Sequence, residues 1–275
     1  MTTPSMAAAP VARGSRRGGV APKSRGLRSY YWLMLGLLYL PIVLLFIFSF
    51  NDNTILSFPL KGFTTHWFEK LFQTPALLSA VGRSFTVAVV SSAIATVFGT
   101  MVALLLSRFE FRGKNLLTSL SILPLLIPYF VIGVALLILF RAVGVPLGLG
   151  TIAIGHAVIS LPYTTLIVLA RLLGFDRQLE EAAMDLGATY PSTLRLILIP
   201  IAAPAIFSAF ITSFTVSFDE FALALFLAGK DPTFPVYLYG QLRFATTLPV
   251  LIAAAVLLMA VSLALILVAD RIRRR

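Results

Sequence analysis

The stretch EAAMDLGATYPSTLRLILIP, residues 181–200, is a polar insert between long apolar segments. Apolar residues recur at helical spacing from Leu179 to Leu186, which predicts a short helix. Gly187 then occupies the C′ position, because glycine adopts the left-handed conformation without a Cβ clash. Pro191 is placed to open a second helix, where its missing N–H costs nothing. We therefore predict a helix–glycine–helix elbow.

The composition on either side of this elbow indicates an all-α integral membrane protein. Hydrophobic residues make up 59% of the 275 residues and charged residues 12%, whereas soluble domains carry about 25% charged residues. The net charge of +11 is concentrated at the two ends and in short loops, which is a topology signal and not the pattern of a nucleic-acid-binding face. The absence of cysteine excludes disulfides, thiolate metal sites and cysteine nucleophiles.

Six apolar segments are each near the roughly 20 residues needed to cross the hydrocarbon of a bilayer. We place the six predicted transmembrane helices at Tyr31–Phe50, Ser84–Ser107, Leu117–Phe140, Thr151–Leu173, Ile201–Ala228 and Leu248–Ala269. Between the first two, Trp67, Phe68, Leu71 and Phe72 predict a short interfacial helix.

The distribution of lysine and arginine predicts the orientation of these helices. Residues 1–29 form a basic tail that we expect to be disordered, residues 30–270 form the membrane domain, and residues 271–275 form a basic C-terminus. Sixteen of the 22 lysines and arginines fall in these tails or in loops on their side of the membrane. The positive-inside rule therefore places both termini and the elbow, within the loop 174–200, in the cytoplasm. An elbow on that side is expected to dock a cytoplasmic partner.

Sequence signatures of an enzyme or of a metal site are missing. The chain has no phosphate-binding GxxxxGK[ST] loop, no HExxH and no GxSxG. Its two histidines, His66 and His156, are isolated from each other in the sequence and do not show the spacing of metal ligands. We predict that His156 forms a hydrogen bond within the helix bundle and binds no metal.

Two adjacent acids, Asp219 and Glu220, lie inside the apolar segment TVSFDEF, residues 215–221. A charge at the centre of a transmembrane helix costs on the order of 3 kcal/mol, so such acids face a cavity or a partner. One interpretation is a substrate pathway near the outer end of a pore, where the acids attract cations. The alternatives are a salt bridge to a neighbouring subunit, or an acid that caps a short broken helix.

The elbow resembles the EAA loop of binding-protein-dependent ABC importer permeases. That pattern is E-A-A, three residues, G, nine residues, I, one residue, L-P, and Ile199 stands where its leucine would be. The matching residues, which the resemblance assigns to ATPase coupling, are Glu181, Ala182, Ala183, Gly187, Ile197 and Pro200.

The resemblance implies a type I importer permease in the inner membrane of a bacterium, working by alternating access. It implies a second permease subunit as a heterodimer partner, two cytoplasmic ATPase subunits and an extracytoplasmic solute-binding protein. ATP and magnesium would be bound by the ATPase subunits, and this chain would be no enzyme and bind no cofactor. The Ser217–Glu220 segment, Phe50–Asp52 and Thr233–Tyr239 further resemble the second permease subunit of spermidine/putrescine-type importers.

Two other functions stay open from the sequence. One is a permease of the same kind for a different small solute, such as an amino acid, a sugar or a metal complex. A stand-alone secondary transporter would instead show internal repeats with paired broken helices, which the sequence lacks, and it would leave the elbow without a role.

Overall fold

The computed structural model describes residues 25–55 and 57–273, and within these ranges every regular element is a helix. The helices are α1 (Arg25–Phe48), α2 (His66–Phe72), α3 (Pro75–Arg108), α4 (Lys114–Ile122), α5 (Tyr129–Ala142), α6 (Leu149–Leu173), α7 (Gln178–Asp185), α8 (Tyr190–Thr193), α9 (Ile199–Phe218), α10 (Ala222–Leu227), α11 (Phe234–Gln241) and α12 (Leu248–Arg273). Residues 1–24 of the predicted basic tail lie outside the described residues, and α1 begins at Arg25. Residues 274–275 of the predicted C-terminal segment also lie outside them.

Four described helices are long and apolar enough to cross a membrane. They are Gly26–Phe48, Pro75–Arg108, Leu149–Leu173 and Tyr190–Phe218. The pair α4 and α5 makes a fifth span if its two bent parts are counted together. A further apolar stretch, Ala245–Val261, is shorter. The part of the chain that the structure describes therefore has four to five such helices, where the sequence predicted six.

The predicted third span, Leu117–Phe140, is not one straight helix. The chain bends by 106° between the segments Lys114–Leu125 and Tyr129–Ala142. Pro124 lies in the 3₁₀ turn that ends the first segment, and Pro128 is the N-cap residue of α5. Each proline lacks an N–H and disfavours helical geometry in the residue before it, so the two together break the helix.

The predicted fifth span, Ile201–Ala228, is also displaced. The helix is continuous from Tyr190, ends at Phe218, and is followed by the separate helix α10 from Ala222. The break falls at the two acids. The side chain of Glu220, two residues before α10, accepts hydrogen bonds from the N–H groups of Leu223 and Ala224 and so stabilises the start of the new helix.

The short helix predicted around Trp67 is α2. Trp67 and Leu71 are buried, and the indole N–H of Trp67 donates a 2.8 Å hydrogen bond to the carbonyl of Asn51. Both side chains join one apolar cluster with Val250 and Leu251 of α12. This packing fixes the segment between α1 and α3 against the last helix.

The chain divides after Leu45 into two units, and the described part of the first consists of residues 25–45 of helix α1. In the second unit α3, α6 and α9 pack against one another, and α10 packs against α5 and α6. Helices α3 and α6 approach closely at Gly99, where an added Cβ would lie 1.9 Å from Thr164 Oγ1. Small residues permit such approaches between membrane helices.

Candidate functional site

The first half of the elbow is a helix that ends at glycine, as predicted. Gly187 has φ +90°, a left-handed conformation that favours glycine. Its N–H donates to the carbonyl of Met184 at 2.9 Å, and the N–H of Ala188 donates to the carbonyl of Ala183 at 3.0 Å. These two bonds form the complete Schellman motif at the end of α7. The direction of the chain at Gly187 is therefore fixed by backbone hydrogen bonds.

The second half of the elbow opens at a proline and leads directly into the long helix. Pro191 is the second residue of α8, and the helix continues to Phe218. Within it, residues Leu194–Leu198 form a π-helical segment that ends two residues before Pro200. Pro200 has no N–H for the carbonyl four residues earlier, and a local widening of this kind accommodates a missing bond. Residues 190–200 and α9 thus form one continuous body.

The elbow presents an apolar surface outward. The side chains of Leu179, Met184 and Leu186 are 53%, 43% and 90% exposed, respectively. Glu181 and Ala182 are exposed beside them, whereas Ala183 and Ile197 are half-buried. Exposed apolar side chains grouped on a polar loop are typical of a surface that binds another protein.

The inner face of the elbow holds a charged contact that the sequence motif does not include. Glu180, immediately before Glu181, is buried, and its Oε1 lies 2.6 Å from Arg108 Nη2 at the end of α3. The sequence suggested only that Arg108 was a topology charge. No local signal in the sequence pairs the two residues, because they are 72 positions apart.

The two acids at the end of α9 have different environments. Glu220 is 6% exposed, and its carboxylate oxygens accept hydrogen bonds from the N–H groups of Leu223 at 2.8 Å and Ala224 at 3.0 Å. Its Oε2 also lies 3.2 Å from Nε2 of His156. All these contacts are internal, so Glu220 caps α10. These contacts match the capping alternative, and a part for Glu220 in a substrate pathway stays a prediction.

His156 belongs to a buried polar chain that joins three helices. It is fully buried, and its Nδ1 lies 2.7 Å from the hydroxyl of Ser217 on α9, which also accepts a 2.8 Å hydrogen bond from Ser91 on α3. The predicted hydrogen bond of His156 within the bundle is confirmed. Among the described residues, no group of three or more histidine, cysteine, aspartate or glutamate side chains is arranged to hold a metal ion.

Asp219, in contrast, faces a cavity. Its side chain is exposed and makes no salt bridge to any of the described residues. The cavity has a volume of about 350 Å³ and is lined by Phe218, Asp219, Phe234, Ala255, Leu258 and Met259. A carboxylate among aromatic rings suits an organic cation, because it supplies a charge-assisted hydrogen bond while the rings attract positive charge.

A row of hydroxyl groups runs along α9 towards Asp219. Ser208, Thr212 and Thr215 precede it at intervals of four, three and four residues, so all lie on one helix face. Each hydroxyl donates to the carbonyl four residues earlier, at 2.9, 2.9 and 3.0 Å, respectively. Their donors are thereby satisfied while their oxygens still accept hydrogen bonds. One face of α9 is therefore polar from its middle to its end.

Comparison with known proteins identifies the family. Residues 95–275 match the family described as binding-protein-dependent transport system inner membrane component. The spermidine/putrescine transport system permease protein PotC of Haemophilus influenzae is 35% identical over 249 residues, which cover 90% of this chain and 96% of that protein. The putrescine transport system permease protein PotI of Escherichia coli is 35% identical over 241 residues, which cover 84% of this chain and 85% of that protein.

A solved structure has the same fold. It is a crystal structure of a bacterial ABC transporter involved in the import of the acidic polysaccharide alginate. The match covers 90% of this chain and 93% of the chain in that structure. The TM-score is 0.72 at 17% sequence identity. The family match over residues 95–275 and the 35% identity to PotC show that the chain belongs to the family of binding-protein-dependent transport system inner membrane components.

Proposed function

We propose that this chain is a permease subunit of an ATP-driven importer of polyamines, with putrescine and spermidine as substrates. The observation that carries the proposal is the 35% identity, over nine-tenths of the chain, to a permease named for these two compounds. The exposed carboxylate of Asp219 in an aromatic-walled cavity supports it, since polyamines are organic cations. Family membership argues against a stand-alone secondary transporter.

The proposed topology keeps six transmembrane helices in the bacterial inner membrane. In it the bent pair α4 and α5 counts as the third span, and α12 is the sixth. Both termini and the elbow lie in the cytoplasm, which is supported by the sixteen lysines and arginines on that side. The domain division at residues 1–29, 30–270 and 271–275 is part of the same proposal.

The elbow is proposed to receive force from two cytoplasmic ATPase subunits, which bind and hydrolyse ATP. Its exposed apolar side chains supply the docking surface, together with Glu181 and Ala182. Ala183, Gly187, Ile197 and Pro200 hold the shape of the elbow and connect it to α9. The chain itself is proposed to catalyse no reaction and to bind no cofactor or metal.

The proposed substrate pathway is the polar face of α9 that ends at Asp219. Hydroxyl groups on this face would replace water around an ammonium group, and Asp219 would neutralise its charge. A second permease subunit closes the pathway from the other side, and an extracytoplasmic binding protein delivers the substrate. Alternating access then opens this pathway to one side of the membrane at a time.

A permease for another solute is the second candidate. The solved transporter with the same fold imports an acidic polysaccharide, so the fold alone does not select a cation. The polar face of α9 would serve a neutral or anionic solute equally well, whereas Asp219 would not.

The experiment that separates the two candidates is a ligand screen on the solute-binding protein that works with this chain. Thermal unfolding is measured with putrescine, spermidine, several amino acids, several sugars and molybdate, because a ligand that binds the folded protein raises its Tm. We expect putrescine and spermidine alone to raise the Tm. A rise with another class of compound and none with the polyamines would contradict the proposal.

A further inference from the structure

We propose that Arg108 and Glu180 are positioning residues that clamp the elbow to the end of α3, so that α3 moves together with α7 during transport. The inference rests on the proposed function in one respect, namely that ATPase subunits act on the elbow. It adds a third route for force, since the chain itself connects the elbow only to α6 and α9.

The geometry of the pair is that of a buried clamp. Arg108 Nη2 lies 2.6 Å from Glu180 Oε1, and the two side chains are only 5% and 8% exposed. The Nη1 group of Arg108 donates a 3.1 Å hydrogen bond to the carbonyl of Leu172 at the end of α6. One guanidinium therefore joins the ends of α3 and α6 to the start of α7.

Burial makes this pair difficult to separate. Removing a charge from water is costly, and the cost is offset only while the opposite charge stays in contact. A motion that pulled α7 away from α3 would leave both charges buried without a partner. Movement of the two helices as one body avoids that cost.

A second ion pair nearby shows the contrast. Lys114 Nζ lies 2.6 Å from Glu110 Oε1, the same distance as in the clamp, but the Glu110 side chain is 85% exposed. Water can replace each partner of this pair, so it contributes little to rigidity. Distance alone does not distinguish the two pairs, whereas burial does.

The neighbours of Arg108 extend the clamp across the glycine turn. The carbonyl of Ser107 accepts a hydrogen bond from Arg177, which lies just before α7. The ring of Phe109 makes an edge-to-face contact with Tyr190 at the start of α8, with centroids 5.7 Å apart. Three consecutive residues at the end of α3 thus hold the elbow on both sides of Gly187.

This arrangement distributes force over the central bundle. Helix α3 packs against both α6 and α9, and a load on the elbow would reach all three helices at once. Without the clamp, α7 could rotate about its connections to α6 and α9 while α3 stayed in place. ATP hydrolysis would then continue with less transport.

The first test compares two matched variants in the assembled transporter, reconstituted in proteoliposomes. We expect Glu180→Gln to keep the ATPase rate and to lower the ratio of putrescine imported to ATP hydrolysed by about tenfold. The control Glu110→Gln removes the exposed pair and should keep the wild-type ratio. An unchanged ratio in Glu180→Gln would overturn the proposal.

A second variant covers the case in which Glu180→Gln does not assemble. The double change Arg108→Met with Glu180→Leu replaces both charged side chains with apolar side chains of similar volume. Proteins often tolerate such a replacement of a buried ion pair. A lowered ratio of import to hydrolysis in this variant supports the clamp. The wild-type ratio contradicts it.

A distance measurement tests the clamp without any transported solute. The chain has no cysteine, so spin labels can be attached at Arg112→Cys and Gln178→Cys. We expect the same narrow distance distribution without nucleotide and after trapping with ATP and vanadate, and a broadened one in Glu180→Gln. A wild-type distance that changes between the two states would overturn the clamp. A wild-type transporter that imports no putrescine would instead overturn the proposed function and leave this distance test intact.

Discussion

Glycine 187 ends α7 at a backbone angle that other residues adopt only at a cost. Its φ is +90°, and no atom lies within 4 Å of the position a Cβ would take, so a substitution there produces strain without a clash. We expect Gly187→Ala to destabilise the turn by about 1 kcal/mol and to lower transport more than ATP hydrolysis. Both rates are measured in proteoliposomes.

Gly174 offers the matched control for this prediction. It lies in the same loop, but its φ is −81° and its nearest neighbour would be 3.6 Å from an added Cβ. Gly174→Ala should therefore leave both rates close to those of the wild type. Equal behaviour of the two alanine variants would show that the glycine turn plays no part in coupling.

The acids at positions 219 and 220 provide a second prediction at the scale of single residues. Asp219→Ala changes an exposed side chain, so we expect the unfolding free energy to change by no more than about 0.5 kcal/mol. Putrescine uptake should weaken, seen as a higher KM, because the pathway loses its negative charge.

Glu220→Ala, in contrast, should destabilise the folded protein. It leaves the buried N–H groups of Leu223 and Ala224 without acceptors, which costs about 2 kcal/mol or more. Thermal unfolding of the purified variants measures this loss. If Asp219→Ala were the less stable variant and kept a normal KM, the assignment of the two acids would be wrong.

The contact between α3 and α6 gives a prediction at the scale of elements. In Gly99→Ala the new methyl group would lie 1.9 Å from Thr164 Oγ1 and 3.0 Å from the backbone N of Thr165. The helices must then separate, and we expect a loss of about 1–3 kcal/mol in unfolding free energy. Chemical denaturation in detergent measures it.

Gly82 is the control within the same helix. Nothing lies within 4 Å of a Cβ built on it, so Gly82→Ala should be neutral or stabilising by up to about 1 kcal/mol. A Gly99→Ala variant as stable as Gly82→Ala would mean that the two helices do not pack at this point.

The sequence predicted those elements that depend on local chemistry. The turn at Gly187, the start of the second helix near Pro191 and the helix around Trp67 all follow from residues within a few positions of each other. The break of the third span was missed, because one proline in a membrane helix is compatible with a kink. Pro124 and Pro128 together break the helix instead of kinking it.

Contacts between distant parts of the chain could not be predicted in this way. Arg108 and Glu180 are 72 positions apart, and nothing in the local pattern of either pairs them. Glu220 and His156 are similarly remote, so the sequence could not show that Glu220 has a buried partner on another helix. Periodicity identifies the face on which a residue lies, whereas its partner depends on the packing of other helices.

The orientation of the whole molecule in the membrane is the next prediction. The chain has no cysteine, so single cysteines report accessibility without background. We expect a membrane-impermeant maleimide, added to intact spheroplasts, to label Lys230→Cys and not Arg112→Cys. Labelling of Arg112→Cys alone would reverse the orientation proposed from the positive-inside rule.

The most direct test of the central claim is putrescine uptake into proteoliposomes that contain the assembled transporter and its binding protein. ATP is enclosed on the side of the elbow, and labelled putrescine is added on the other side. We predict saturable accumulation that requires ATP hydrolysis and that unlabelled spermidine inhibits. Putrescine accumulation driven by an ion gradient without ATP, or no accumulation while another solute enters with ATP, would contradict the account.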